Sequence, residues 1–328
     1  VERIYVNWFL DNISQIWLKS LKEKIKNEAD SEWEIENLSQ QKDFYNEIIS
    51  PMIQQNQRDK VFVIISDALR FEVARELADS LNSETRGSTD ISYLQCVLPS
   101  TTKFGMASLM PYKTINLDTS GKLRVDGIDI SNMNSKNKLL GNYISNSLAI
   151  SWNDLNSLPR DEARKKLKNK RLIYIFHNTI DAYAEDIKKE IKVFNAAKSA
   201  IDEIKNAIKY ICNTLNGTKI MVVADHGFLY KRSKIDESEK LKLEENSFIE
   251  SSRRYLLSKQ KAKQGGVISV NMDYLIDNEE KYYAIIPNGI LRFKTPGGGI
   301  NYVHGGASLQ EIVIPLIEYR HIKKSVAK

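Results

Sequence analysis

Apolar positions along the chain alternate between short unbroken runs and longer stretches with one-sided spacing. VFVIIS (Val61–Ser66) is a continuous, mostly β-branched run, which is how a strand buried on both faces reads. FEVARELADSLN (Phe71–Asn82) follows with helical spacing, and YLQCVL (Tyr93–Leu98) and LIYIF (Leu172–Phe176) predict two more strands. From Val193 to Leu215 apolar residues recur at 193, 197, 200, 201, 204, 208, 211 and 215, predicting a one-faced helix that stops at Asn216 and Gly217. Lys219–Ala224 predicts the next strand, with YYAIIP (Tyr282–Pro287) and IVIPLIEYR (Ile312–Arg320) after it. Strands and helices in alternation predict an α/β fold with a mostly parallel sheet flanked by helices.

Three stretches depart from that rhythm. Residues 1–57 lack glycine and are rich in Trp, Leu, Ile, Lys and Glu, predicting a helical N-terminal appendage to a main unit at 58–328. Val1 already falls inside a helical pattern, so the expectation is a piece of a longer protein. Residues 112–150, rich in Asn, Ser and Gly, and residues 231–265, rich in Lys, Glu, Ser and Arg, read as surface insertions. The second follows the Asp225–His226 pair and reads equally as a lid or as a solvated helical excursion. TPGGG (295–299) lacks the Lys-Ser/Thr of a phosphate-binding loop and reads as a turn.

Composition narrows the class. The chain has 328 residues, a hydrophobic share of 42% and a net charge of +6; it is globular in type, and its charge permits anionic partners. Cys96 and Cys212 are too few for a disulfide framework or a cysteine metal site, which fits a reducing cytoplasm. No apolar stretch approaches a membrane span.

Chemistry collects where the strands end. VVADHGFLY (Val222–Tyr230) sets Asp225 and His226 at the carboxyl end of a strand, where open α/β sheets gather ligands. Asp67 ends the first strand, Thr102 follows the second, Asp181 and Glu185 follow the third, and His304 precedes the last. Each also has a plain reading: Asp67 and Thr102 as helix caps, His304 as a loop residue beside Gly305 and Gly306. Taken jointly, the carboxylates, imidazoles and hydroxyl form a mixed oxygen and nitrogen donor set suited to zinc or manganese, with enough ligands for two divalent ions. Paired ions serve phosphoryl transfer, for which the hydroxyl would be the nucleophile.

The motifs PSxT (Pro99–Thr102) followed by GMASLMP, HNxID (His177–Asp181), ADHGF (Ala224–Phe228) and HGGxSxQEIVIP (His304–Pro315), behind the strand ending in Asp67, resemble the PglZ domain. That domain occurs in bacteriophage-exclusion (BREX) defence systems and belongs to the alkaline phosphatase superfamily. The resemblance runs in order from about residue 60 to 320 and implies an alkaline-phosphatase-like fold. It also implies one ion held by Asp67, Thr102, Asp225 and His226, a second held by Asp181, Glu185 and His304, and Thr102 as nucleophile. Glu185 departs from alkaline phosphatase itself, which has a histidine at that spacing; the carboxylate makes the second site harder and tolerant of manganese. His177 reads as a supporting or core residue, and Arg70 has no fixed direction.

Sulfatases need a modified cysteine or serine where this chain has Thr102, and SDALRF lacks the second aspartate of a haloacid-dehalogenase DxD. The expected activity is metal-dependent hydrolysis of phosphate esters in the cytoplasm, with other BREX proteins as partners. A phosphodiesterase or nuclease acting on DNA or nucleotides is favoured by the basic excess and by the defence context that the resemblance implies. RKKLKNKR (Arg164–Arg171) is a candidate phosphate-contacting stretch whose plain reading is a solvated helix face. A phosphomonoesterase and a metal-stabilised scaffold with little turnover are the alternatives.

Overall fold

The structure, a computed structural model, describes residues 4–27, 33–55, 59–184, 192–233, 235–242, 248–295 and 301–322. Val61–Ser66 lies inside a six-stranded sheet ordered Gly87–Gln95, Val313–His321, Lys219–Val223, Val61–Ser66, Leu172–His177 and Ser147–Ser151. It pairs in parallel on both sides, Val61 opposite Leu172 and Lys219, and every one of its residues is buried. That is the environment its unbroken apolar run predicts. Val313–His321 alone runs against its neighbours, antiparallel to both Lys219–Val223 and Gly87–Gln95. The residues that follow the other strands and those that precede Val313 therefore arrive at one edge of the sheet.

The flanking helices follow from their spacing. Phe71–Glu84 buries Ala74, Leu77, Ala78 and Leu81, a single apolar stripe at three- and four-residue intervals. Val193–Leu215 is helical throughout and ends where Asn216 takes a left-handed φ of 57°, a helix terminus that Asn or Gly makes at low cost. Among the described residues no helix is long and apolar enough to cross a membrane.

The stretches that depart from the strand–helix rhythm carry more of the fold than their composition suggests, although the first is helical as expected. Helices cover Tyr5–Asn27 and Gln41–Gln55, and Phe44, Tyr45, Ile49 and Ile53 share the core of Val61–Ile65. The N-terminal segment is thus built into the core rather than appended to it. Residues 112–150 are not a surface excursion: Ile115, Leu117, Leu123, Val125, Leu139 and Leu140 are buried, and Ser147–Ser151 is the edge strand of the main sheet. Residues 231–265 supply Glu250–Ser251 and Leu256–Ser258 to a separate four-stranded antiparallel sheet with Val267–Asn271 and Tyr283–Pro287. The glycines at 297–299 lie outside the described residues.

One buried ion pair joins that second sheet to the loop entering Val313. Arg254 and Glu311 are both 0% exposed; Arg254 Nε donates to Glu311 Oε1 at 3.0 Å and a terminal guanidinium nitrogen to Oε2 at 2.6 Å. Glu311 also accepts from the backbone N–H groups of Gly306 and Ser308 and from the Ser308 hydroxyl, at 2.9, 3.1 and 2.7 Å. Burial opposes ionisation of Glu311, but Arg254 and these donors outweigh it and hold its carboxyl below the usual range. The Arg254 guanidinium occupies the space a side chain at Gly306 would need, so this glycine is required by packing.

Removing one member of such a pair strands the other charge in the core. Arg254→Met is expected to lower unfolding free energy by about 3–5 kcal/mol, measured by urea denaturation, and Arg254→Met with Glu311→Leu should recover much of that loss. A loss under about 1 kcal/mol for the single change would contradict a clamp of this kind.

Candidate functional site

Asp67 extends the strand Val61–Ser66 by one residue, its backbone N–H donating to His177 O at 2.8 Å. Ala68 then turns the chain with a φ of 59°, uncommon for a residue with a side chain. The turn aims the Ala68 N–H at Asp225 Oδ1, 3.1 Å away. Asp225, just past Lys219–Val223, is fully buried, and its Oδ1 also accepts from the His226 N–H at 2.9 Å. His226 is fully buried as well; its Nδ1 donates to Gly227 O at 2.8 Å. That bond turns Nε2 toward the Thr102 hydroxyl at 3.1 Å, Asp67 Oδ1 at 3.4 Å and Asp225 Oδ2 at 3.6 Å.

Thr102 begins the helix Thr102–Leu109, with Thr101 extended at the N-cap. The Thr101 hydroxyl is buried and caps nothing, whereas the Thr102 hydroxyl faces His226. One turn on, Gly105 lets this helix rest on the Asp225 corner, since a Cβ there would lie 2.1 Å from Asp225 O. Gln41, completely buried, ties the same corner to the preceding segment: its side-chain amide donates to Asp225 O at 2.6 Å and accepts from the Val97 N–H at 3.1 Å.

On the other side of His226 the ring of His304 stacks at 4.3 Å and 13°. A short antiparallel pairing of Leu229–Tyr230 with Tyr302–Val303 sets that contact. Asp181, on the helix Thr179–Ala184, is buried, and its Oδ1 accepts from the Tyr302 hydroxyl at 2.8 Å. Donor atoms of Asp67, Asp225 and His226 lie within 4.8 Å of one another, as do those of Asp181, His226 and His304.

The structure therefore gathers Asp67, Thr102, Asp181, Asp225, His226 and His304, while Glu185 lies outside the described residues. His177 stands behind the cluster, its Nδ1 3.0 Å from the Ser66 hydroxyl and its Nε2 2.9 Å from Glu203. Arg70 turns away: it lies over the Phe228 ring at 5.0 Å, pairs with Glu72, and lines a groove with Tyr5, Phe9 and Phe194. Gln41 and Tyr302 gave no signal in the sequence, because each acts across a long separation on a partner that no local spacing identifies.

Three carboxylates and two imidazoles in one buried volume perturb one another. Burial pushes Asp225 well above the usual carboxylate range, and the neighbouring charge of Asp67 pushes it further. Burial works against a charged His226, yet Asp225 and Asp67 outweigh it and lift its pKa to about 10. Burial and the charge of His226 hold His304 down to about 3. Asp67 Oδ1, Asp225 Oδ2 and His304 Nδ1 are buried and make no hydrogen bond of normal geometry among the described residues, the first two having only the longer contacts to His226 Nε2. Such orphaned acceptors are rare in a folded core, and a carboxylate and imidazole donor set of this kind fits a divalent cation.

Comparison with known proteins shows what the chain as a whole is similar to. The family model for the BREX system PglZ alkaline phosphatase-like domain matches residues 44–319. The alkaline phosphatase-like protein PglZ of Bacillus cereus (strain H3081.97) is 36% identical over 328 residues, and the alkaline phosphatase-like protein BrxZ of Escherichia coli O9:H4 (strain HS) is 34% identical over 340. Each covers the whole of this chain, which spans 38% of the length of either relative. Among solved structures, murine ectonucleotide pyrophosphatase/phosphodiesterase 5 superposes with a TM-score of 0.53 at 13% identity, over 80% of this chain and 88% of that one. Phosphonoacetate hydrolase from Sinorhizobium meliloti gives 0.50 at 10% identity, over 80% and 90%. At these identities the two superpositions establish an alkaline-phosphatase-like fold.

The high pKa of His226 carries a prediction about loading. At about pH 8 its ring is protonated in the metal-free protein, and a cation must displace that proton to reach Nε2. Because Asp225 beside it is raised as well, zinc or manganese added at that pH is expected to expel about one proton or more per ion bound there, seen as a calorimetric heat that differs between buffers of unlike ionisation enthalpy. Heats that are independent of the buffer would contradict it.

Proposed function

The chain belongs to the BREX-system PglZ alkaline phosphatase-like family, and from that footing we propose that it is a metal-dependent phosphodiesterase with Thr102 as nucleophile. The observation that carries this reading is the placement of the Thr102 hydroxyl at the start of a helix, 3.1 Å from His226 Nε2 and beside Asp67 and Asp225. Asp67, Thr102, Asp225 and His226 form the first ligand set, and Asp181, Glu185 and His304 the second. Zinc suits these donors, and manganese suits the more carboxylate-rich second set. Divalent ions, when bound, supply the positive charge that acidifies the hydroxyl and offsets that of the substrate phosphate.

The chain's own groups do the positioning. The free backbone N–H groups at the start of Thr102–Leu109 favour negative charge on the Thr102 oxygen and on the phosphate it receives. The bond from His226 Nδ1 to Gly227 O holds the ring so that Nε2 faces the reacting oxygen. Tyr302 orients Asp181 through its hydroxyl. In the first displacement a bond forms between Thr102 Oγ1 and phosphorus as the ester bond to the leaving group breaks. Water then releases the phosphoryl group and restores the hydroxyl.

Two features favour a diester over a monoester. Arg70, three residues after Asp67, pairs with Glu72, lies over the Phe228 ring and lines a groove other than the cavity beside Thr102, so its charge is already engaged. A cavity of about 450 Å³ opens beside Thr102 and leaves room for a second ester group. Within BREX defence the substrate class is DNA or nucleotides, the compartment the cytoplasm, and the partners other BREX components.

Substitution of the two adjacent threonines tests the reading. Thr102→Ala should abolish hydrolysis of a chromogenic phosphodiester, a loss of roughly 4 kcal/mol or more of barrier stabilisation, with fold and metal content unchanged. Thr101→Ala should cost only a small factor, and Thr102→Ser should keep part of the activity. Persisting turnover in Thr102→Ala would remove the covalent step.

A further inference from the structure

The cavity beside Thr102 carries three lysines, and their surroundings differ. Lys103 pairs with Glu250, and Lys122 lies 2.8 Å from Asp129. Lys136 has no carboxylate partner among the described residues; its ammonium sits 4.6 Å from the centre of the Phe176 ring. Phe176 precedes His177 on the strand Leu172–His177, whose register places His177 opposite Ser66, one residue before Asp67. Burial lowers the Lys136 pKa, and the negative charges of Asp67 and Asp225 oppose that in part. Met106, Leu123 and Ile130 supply the apolar part of the cavity wall.

The backbone that carries Lys136 is fixed. Asn132 caps the helix Met133–Tyr143 by accepting from the Ser135 N–H. The side chain of Asn137, next to Lys136, both donates to Ala149 O and accepts from Ala149 N–H, each at 2.8 Å, joining the helix to the edge of the main sheet. Leu139 and Leu140 are completely buried beneath it. A cation held this way, desolvated on its stem and unpaired at its tip, gives up no ion pair when an anion enters. For Lys103 or Lys122 the same contact would compete with an existing carboxylate.

We propose that Lys136 is the substrate-binding cation of this site, contacting an anionic oxygen of the phosphate as it lies over Thr102. The inference rests on the phosphodiesterase reading and deepens it: the ligand is a phosphate diester with one full negative charge, matched by one unpaired ammonium. Among the described residues the cavity's lining is made of lysines, small polar residues and aliphatic side chains, which suits contact with the phosphate.

The test uses the zinc- or manganese-loaded protein and two readouts: calorimetric binding of inorganic phosphate, and hydrolysis of a chromogenic phosphodiester. Lys136→Met should weaken phosphate binding about tenfold or more and lower kcat/KM by a similar factor, with melting temperature and metal content unchanged. Lys136→Arg should keep most of both. Lys122→Met, which removes a cation already paired, should change phosphate binding by less than about twofold. Phosphate binding by Lys136→Met at wild-type strength overturns the proposal, as does an equal loss in Lys122→Met. A wild-type protein that binds phosphate through Lys136 but cleaves no diester sinks the phosphodiesterase reading instead and leaves the contact standing.

Discussion

Asp67, Asp181 and Asp225 are buried together around one imidazole, and their mutual repulsion is the constraint that the surrounding structure must contain. Like charges brought this close in a low-dielectric interior disfavour one another strongly. Burial first and the charge of Asp67 second raise Asp225, and the carboxylates raise His226 against its own burial. The repulsion is contained first by rigid backbone: Asp67 and Asp225 leave adjacent parallel strands whose registers are fixed along Val61–Ser66. Dipoles contain it next, through the Ala68 and His226 N–H groups that Asp225 accepts and the hydroxyl that Tyr302 gives to Asp181. A cation between these groups would convert the repulsion into ligation, which is how a costly cluster becomes useful chemistry.

The reversed strand matters as much as the parallel ones. Because Val313–His321 runs against its neighbours, the loop before it delivers His304 to the same edge that the other strands reach with their carboxyl ends. Two ties hold that loop in place. The pairing of Tyr302–Val303 with Leu229–Tyr230 lays His304 on His226, and Glu311, clamped by Arg254, fixes the turn at Gly306 and Ser308. The second sheet is thus a support for the site, and the stretch whose position after Asp225 and His226 allowed a lid or a solvated helix provides its anchor.

What the sequence made legible has a common physical origin. Val61–Ser66, Leu172–His177, Lys219–Val223 and Val193–Leu215 bury whole faces, and burial writes itself into local periodicity. The polar residues ending those strands stood out because nothing apolar explains them. Gly87–Gln95 is an edge strand whose burial alternates, so its polar first residues read as loop. Ser147–Ser151 is short and sits among Asn- and Ser-rich neighbours, and only pairing with Leu172–His177 identifies it. Gln41, Arg254, Tyr302 and Lys136 depend on partners or cavity walls far away in the chain, information that no window of residues contains.

The proposed convergence of Thr102, Asp67, Asp225 and His226 on one cation is tested by an anomalous-difference map from crystals grown with zinc and collected on either side of its absorption edge. The expected peak lies about 2 Å from the Thr102 hydroxyl, one oxygen of each aspartate and His226 Nε2. A map with no peak there, or with zinc only at surface histidines, would contradict it.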